Sequence, residues 1–107
     1  MTMILEDIRA DSASERRRKR LARAMATIDD AEEMEAYLID LCTPAELRAL
    51  SERWHVAQLL DRGDVSYREI NQLTGVSTTT IGRVARFLRE EAYGGYRRVL
   101  ERLRGQS

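Results

Sequence analysis

Apolar residues along this chain recur at spacings of three and four, and no stretch alternates with the period of two that a half-buried strand requires. The pattern predicts an all-α protein. Residues 1–13 are weakly patterned and are expected to form a flexible N-terminal segment, leaving residues 14–107 as a single helical domain. A first helix is expected over residues 14–27, with Ser14 as its cap and Leu21, Met25 and Ile28 at helical spacing. A second is expected over residues 29–41, capped by Asp29 or Asp30. It carries a stripe of Ala31, Met34, Leu38 and Leu41, and acids in its first turns, where the helix dipole favours them.

Thr43-Pro44 restarts the chain, because threonine is a good N-cap, proline is preorganised for the first helical position and Glu46 stands at the capping-box position. This third helix is expected to reach Asp61 and to be ended by Gly63. Its apolar residues, Leu47, Ala49, Leu50, Trp54, Val56, Ala57, Leu59 and Leu60, cover most of its circumference, as suits a central helix touching several neighbours or a second subunit. Arg53 falls inside that apolar arc, where a charge needs a partner. Two readings stand side by side: an ion pair with one of the nearby acids, or an anion-binding arginine in a small-ligand pocket.

The stretch SYREINQLTGVSTTTIGRVARFLREE, residues 66–90, predicts a helix-turn-helix. Ser66 caps a short helix with Glu69 at the capping-box position and Ile70 and Leu73 as its apolar residues. Thr74-Gly75 then breaks it, glycine permitting the left-handed backbone that a tight turn between crossing helices requires. Val76 is expected to pack under the turn, and Ser77 to cap the second helix, with Thr78, Thr79 and Thr80 in its first turn. On the helical wheel Ile81, Val84, Ala85 and Leu88 form one face, while Thr79, Arg83, Arg86 and Glu90 gather opposite. Threonines at the start and arginines behind are what a recognition helix offers the major groove: short side chains reach base edges, and guanidinium groups reach phosphate or guanine. Gly82 fits close approach to DNA or to another helix.

Composition alters this picture in one respect. The 107 residues carry 18 Lys and Arg against 18 Asp and Glu, and zero net charge alone argues against a phosphate-binding protein. The charge is segregated, however: residues 15–27 carry +5, residues 28–50 carry −6 and residues 66–107 carry +4. Local basic patches attract DNA whatever the average. The run Arg16-Arg17-Arg18-Lys19-Arg20 is either an arm reaching DNA or a solvated helix face. A single cysteine, Cys42, excludes an internal disulfide, and with one histidine, His55, no Cys/His zinc cluster is available. No acid–base pair, nucleophile or phosphate-cradling loop suggests an enzyme, so no catalytic or metal site is expected. Neither a signal peptide nor a membrane span is recognisable, which leads to the expectation of a cytoplasmic protein with no membrane partner.

The run LCTPAELRALSERWHVAQLLDRGDVSYREINQLTGVSTTTIGRVARFL, residues 41–88, resembles the Trp repressor superfamily and in particular its YerC/YecD branch, and the likeness extends to the closing AYGGYRRVLERL. The resemblance implies an intertwined all-α homodimer with two protruding helix-turn-helix heads, acting as a sequence-specific transcriptional repressor on a double-stranded operator. It implies DNA contacts by Arg68 and Asn71 of the first short helix, with Arg68 reading bases, and by Thr78, Thr79 and Thr80. Arg83 and Arg86 complete the expected set. It also places Thr43, Arg53 and Arg83 at positions that hold the tryptophan corepressor in the Trp repressor. Val84 and Phe87 stand where that pocket has glycine and serine, and Cys42 where it has leucine. Their bulk predicts that tryptophan binds weakly or not at all, leaving an unknown effector or none. The competing class is a helical adaptor that binds another protein through its acidic middle and its apolar helix, with the basic head only a solvated surface and no DNA bound.

Overall fold

The computed structural model describes the backbone of residues 2–105 and the side chains of residues 12–105. The chain divides into two compact units, Met1–Thr43 and Pro44–Ser107.

The first unit contains α1 (Thr2–Ala26) and α2 (Ala31–Leu41). Helix α1 does not begin at Ser14 but runs through it, because nothing between residues 2 and 26 interrupts a helix: the stretch holds no glycine or proline and is rich in Ala and Arg. The expectation of a flexible segment over residues 1–13 concerns side chains that, up to residue 11, lie outside the described residues. Helix α1 tightens as it ends, with Thr27 donating through both its amide and its hydroxyl to the carbonyl of Ala24. Asp30 caps α2, its carboxylate accepting from the Glu33 amide at 3.2 Å. The stripe expected on α2 is only partly covered: Met34 and Leu38 are half-buried, whereas Ala31 and Leu41 are exposed.

The second unit comprises α3 (Pro44–Arg62), α4 (Tyr67–Thr74), α5 (Thr78–Arg89) and α6 (Gly95–Gly105). Its core is formed by Val56, Ala57, Leu59 and Leu60 of α3, Ile70 of α4, Val76 of the turn, Ile81, Val84, Ala85 and Leu88 of α5, and Leu100 of α6. Burying each of the larger aliphatic side chains contributes roughly 1.5–3 kcal/mol. Helices α3 and α5 pack on each other, and each also packs on α4 and α6. Within the single chain α3 supplies the core from its C-terminal half, while Leu50 is exposed and Leu47, Ala49 and Trp54 are half-buried. Trp54 stacks on Tyr96 with ring centroids 6.4 Å apart, tying the middle of α3 to α6.

Three arginines lock helix ends to other elements. Arg89 donates to the carbonyl of Leu60 at 3.2 Å and Arg97 to that of Leu88 at 2.7 Å, each satisfying a carbonyl that the last turn of a helix leaves without an intrahelical donor. Arg104 of α6 pairs with Asp61 of α3. Gly63, at φ 79°, turns the chain out of α3. Among the described residues no helix is long and apolar enough to cross a membrane.

Candidate nucleic-acid interface

The helix-turn-helix is built from local hydrogen bonds that its sequence encodes. Ser66 and Glu69 form a reciprocal capping box: the Glu69 amide donates to Ser66 Oγ and the Ser66 amide to Glu69 Oε1, each at 3.1 Å. Gly75 closes α4 in the left-handed region, at φ 77° and ψ −1°, and its amide donates to the carbonyl of Asn71. Two side chains then fix the turn. Asn71 Nδ2 donates to the carbonyl of Val76 at 2.8 Å, and Thr74 Oγ1 accepts from the Val76 amide while donating to the carbonyl of Ile70. Ser77 caps α5, accepting from the Thr80 amide and donating to the Thr80 hydroxyl.

The wheel of α5 is realised in space. Ile81, Val84, Ala85 and Leu88 are buried, Thr78, Thr79, Arg83 and Arg86 are exposed, and Thr80 is half-buried beneath them. The exposed arginines are not equivalent. Arg83 lies over the Phe87 ring with its guanidinium carbon 4.2 Å from the centroid. Arg86 is farther from that ring, at 5.4 Å, and is held by Glu91 at 2.8 Å. Phe87 also stacks on Tyr93 at 6.2 Å, so one ring links the exposed side of α5 to the segment leading into α6. Arg68 is exposed on α4, with no ion pair among the described residues.

One expectation needs correction. Leu73 does not join the core beside Ile70; it is 70% exposed, because α4 is short and only its Ile70 side faces α3 and α5. Gly82 answers no crowding within this chain, since a Cβ there would meet nothing within 4 Å. Neither Arg53, half-buried on α3, nor Arg83 is bound to an acid among the described residues. Of the expected effector-pocket residues, Thr43 ends the first unit, Arg53 lies midway along α3 and Arg83 on α5. An open depression of about 390 Å³ between α3 and α4 contains none of them; Arg48, Ser51, Glu52, His55, Leu73, Thr74 and Val76 line it. Among the described residues no group of His, Cys, Asp and Glu could hold a metal ion.

Sequence reasoning missed the turn-holding role of Asn71 and the helix-closing roles of Arg89 and Arg97. Both had a signal: asparagine readily bonds nearby backbone, and arginine near a helix C-terminus readily finds a free carbonyl.

A capped helix pair with a three-residue glycine turn and a solvent-facing second helix defines this as an all-α protein with a helix-turn-helix-like head. Comparison with known proteins makes the kinship specific. The family model described as Trp repressor protein matches residues 17–104. The uncharacterized protein YerC of Bacillus subtilis (strain 168) is 37% identical over 86 residues, 78% of this chain and 79% of that protein. A Trp operon repressor homolog from Aliivibrio salmonicida (strain LFI1238) is 40% identical over 65 residues, 58% of this chain and 60% of that protein. The crystal structure of a TrpR like protein from Eubacterium eligens ATCC 27750 superimposes with a TM-score of 0.71 at 40% identity, covering 79% of this chain and 86% of that one. The chain belongs to the Trp repressor family. Members of that family are non-enzymatic transcription factors, and this protein is accordingly not an enzyme.

Proposed function

We propose that this protein is a sequence-specific, DNA-binding transcriptional repressor of the YerC-like branch, acting in the cytoplasm as an intertwined homodimer and without tryptophan. The observation that carries the reading is the division of α5 into a fully buried aliphatic face and an exposed face of Thr78, Thr79, Arg83 and Arg86, on a helix locked at its start to α4. Such a helix presents its N-terminal residues to base edges in the major groove. Arg68, unpaired and exposed on α4, is the proposed base reader, with guanine as its natural target. Thr78 and Thr79 contact base edges, Arg83 and Arg86 phosphate, while Asn71 and Thr80 serve first to hold the turn and the cap and offer only their remaining polar atoms to DNA.

Independence from tryptophan is supported by Val84 and Phe87. Val84 is 1% exposed and fills space in the core, and the Phe87 ring already lies against the guanidinium of Arg83. The chain thus supplies from its own α5 an aromatic face for that arginine. Dimerisation is supported by apolar side chains left open on the single chain, among them Ile39, Leu41, Leu50 and Leu103.

Selection of bound fragments from random duplex DNA, followed by titration of the selected site, tests the function. A regulator returns a defined sequence whose affinity drops steeply with salt, and Arg68→Ala costs about 1–3 kcal/mol on that sequence. A helical protein-interaction adaptor returns no sequence and is indifferent to Arg68→Ala.

A further inference from the structure

The basic run near the N-terminus is not uniform around its helix. At 3.6 residues per turn Arg16, Lys19, Arg20 and Arg23 fall within an arc of about 100° on α1. Leu21 and Met25 lie on the opposite side, flanked by Arg17 and Arg18. All six cations are exposed, whereas Met25 is half-buried. One of the four on the basic face, Lys19, is paired, with Glu15 at 3.2 Å in an exposed i,i+4 contact of the kind worth little in water. Arg16 donates to Ser12 Oγ, a neutral partner that leaves its charge uncompensated. Arg20 and Arg23 have no acid partner among the described residues. The face therefore retains most of its charge within a chain whose net charge is zero.

From Arg16 to Arg23 the row rises about 10 Å, at 1.5 Å per residue. A DNA strand carries one negative charge per roughly 3.4 Å of helix axis, and because it winds around that axis its successive phosphates stand farther apart than this rise, so the row reaches about two of them. The face carries cations alone, without the threonines and the packed turn that accompany Arg68 in the helix-turn-helix, and so suits phosphate contacts rather than base edges. We infer that the Arg16–Lys19–Arg20–Arg23 face of α1 is a second, sequence-independent contact surface for the phosphate backbone of duplex DNA, separate from the helix-turn-helix. This rests on the DNA-binding reading above and adds to it: the head selects sequence, and α1 supplies electrostatic affinity. Arg17 and Arg18, beside the apolar stripe, lie outside this surface.

The test compares two isoelectric double variants of the full chain, Arg16→Gln/Arg20→Gln and Arg17→Gln/Arg18→Gln, with circular dichroism and light scattering to verify fold and assembly. Affinity for the selected duplex is measured between 50 and 300 mM salt, conditions chosen for the experiment. Each lost phosphate contact lowers the slope of log K against log salt by about 0.9, so the face variant should lose about 1.8 for each engaged α1 and the off-face variant far less. Base preference should be unchanged in both. If the face variant loses helicity, the single substitutions Arg20→Gln and Arg23→Gln each carry a loss of about 0.9. Equal slopes for the two double variants overturn the inference, as does a face that retains anionic phospholipid vesicles while leaving the DNA slope unaltered. If the unaltered protein selects no duplex at all, the regulator reading falls along with it; a selected site with an unchanged slope removes only the role of α1.

Discussion

Arg83 and Phe87, one helical turn apart on the exposed side of α5, form a cation–π pair with the guanidinium carbon 4.2 Å from the ring centroid. The ring restricts an arginine that would otherwise sample many rotamers, and its outward edge of charge is thereby held on the side of the helix proposed to meet DNA. Exposed pairs of this kind contribute about 0.5–1 kcal/mol. Phe87→Ala is expected to reduce operator affinity by roughly two- to fivefold, with Arg83→Ala/Phe87→Ala no weaker than Arg83→Ala alone. Fluorescence anisotropy with labelled operator measures both, and additive losses would show that the pair is not coupled.

Tryptophan should neither bind appreciably nor alter DNA affinity. Isothermal calorimetry of the purified protein with L-tryptophan, repeated as a DNA titration in its presence, addresses this directly. Micromolar binding accompanied by tighter operator binding would contradict the self-supplied aromatic face of Arg83.

Asn71 and Arg68 lie on the same short helix yet should respond oppositely. Asn71→Ala removes the hydrogen bond to the Val76 carbonyl and should destabilise the protein by about 1–3 kcal/mol, because a partly buried acceptor loses its donor. Arg68→Ala should leave the urea midpoint nearly unchanged while weakening specific binding by about 1–3 kcal/mol. Parallel denaturation and binding curves distinguish a turn-holding residue from a reading one; a stable Asn71→Ala protein would mean the turn is fixed elsewhere.

Gly75→Ala isolates the backbone requirement of the turn. A Cβ at this position meets no atom within 4 Å, so any loss comes from placing a side chain on a residue at φ 77° rather than from a clash. The expected cost is about 1–2 kcal/mol, read from the chemical denaturation midpoint. Gly82→Ala, in the helix interior and equally open, should instead stabilise the free protein by up to about 1 kcal/mol. If DNA approaches that backbone closely, Gly82→Ala will weaken binding while raising stability.

Much of the helix-turn-helix was legible before any coordinates because its determinants are local. Ser66 and Glu69 name a capping box, Gly75 names a left-handed turn, and the period of Ile81, Val84, Ala85 and Leu88 names a buried face. Ser14 shows the converse: a serine good enough to start a helix is passed over when residues on both sides already favour one. Leu73 was misjudged because periodicity gives the face of a helix without saying whether a neighbour covers it. The relation of Arg83 to Phe87 was only partly visible. Their spacing of four puts them on one face, but stacking rather than pairing with an acid depends on rotamers that sequence does not express.

The arginines that close helix ends change what a charge count means for this protein. Of the eight arginines after residue 65, Arg89 and Arg97 are turned inward to backbone carbonyls, and Arg86 and Arg104 are matched by Glu91 and Asp61. Part of the apparent basic reserve of the head is therefore mortar, and an incoming polyanion meets chiefly Arg68, Arg83, Arg98 and Arg102, together with Arg86, which is exposed but shares its charge with Glu91. Swapping an inward arginine for lysine would leave the pI almost untouched and yet loosen the scaffold on which the outward ones are aimed.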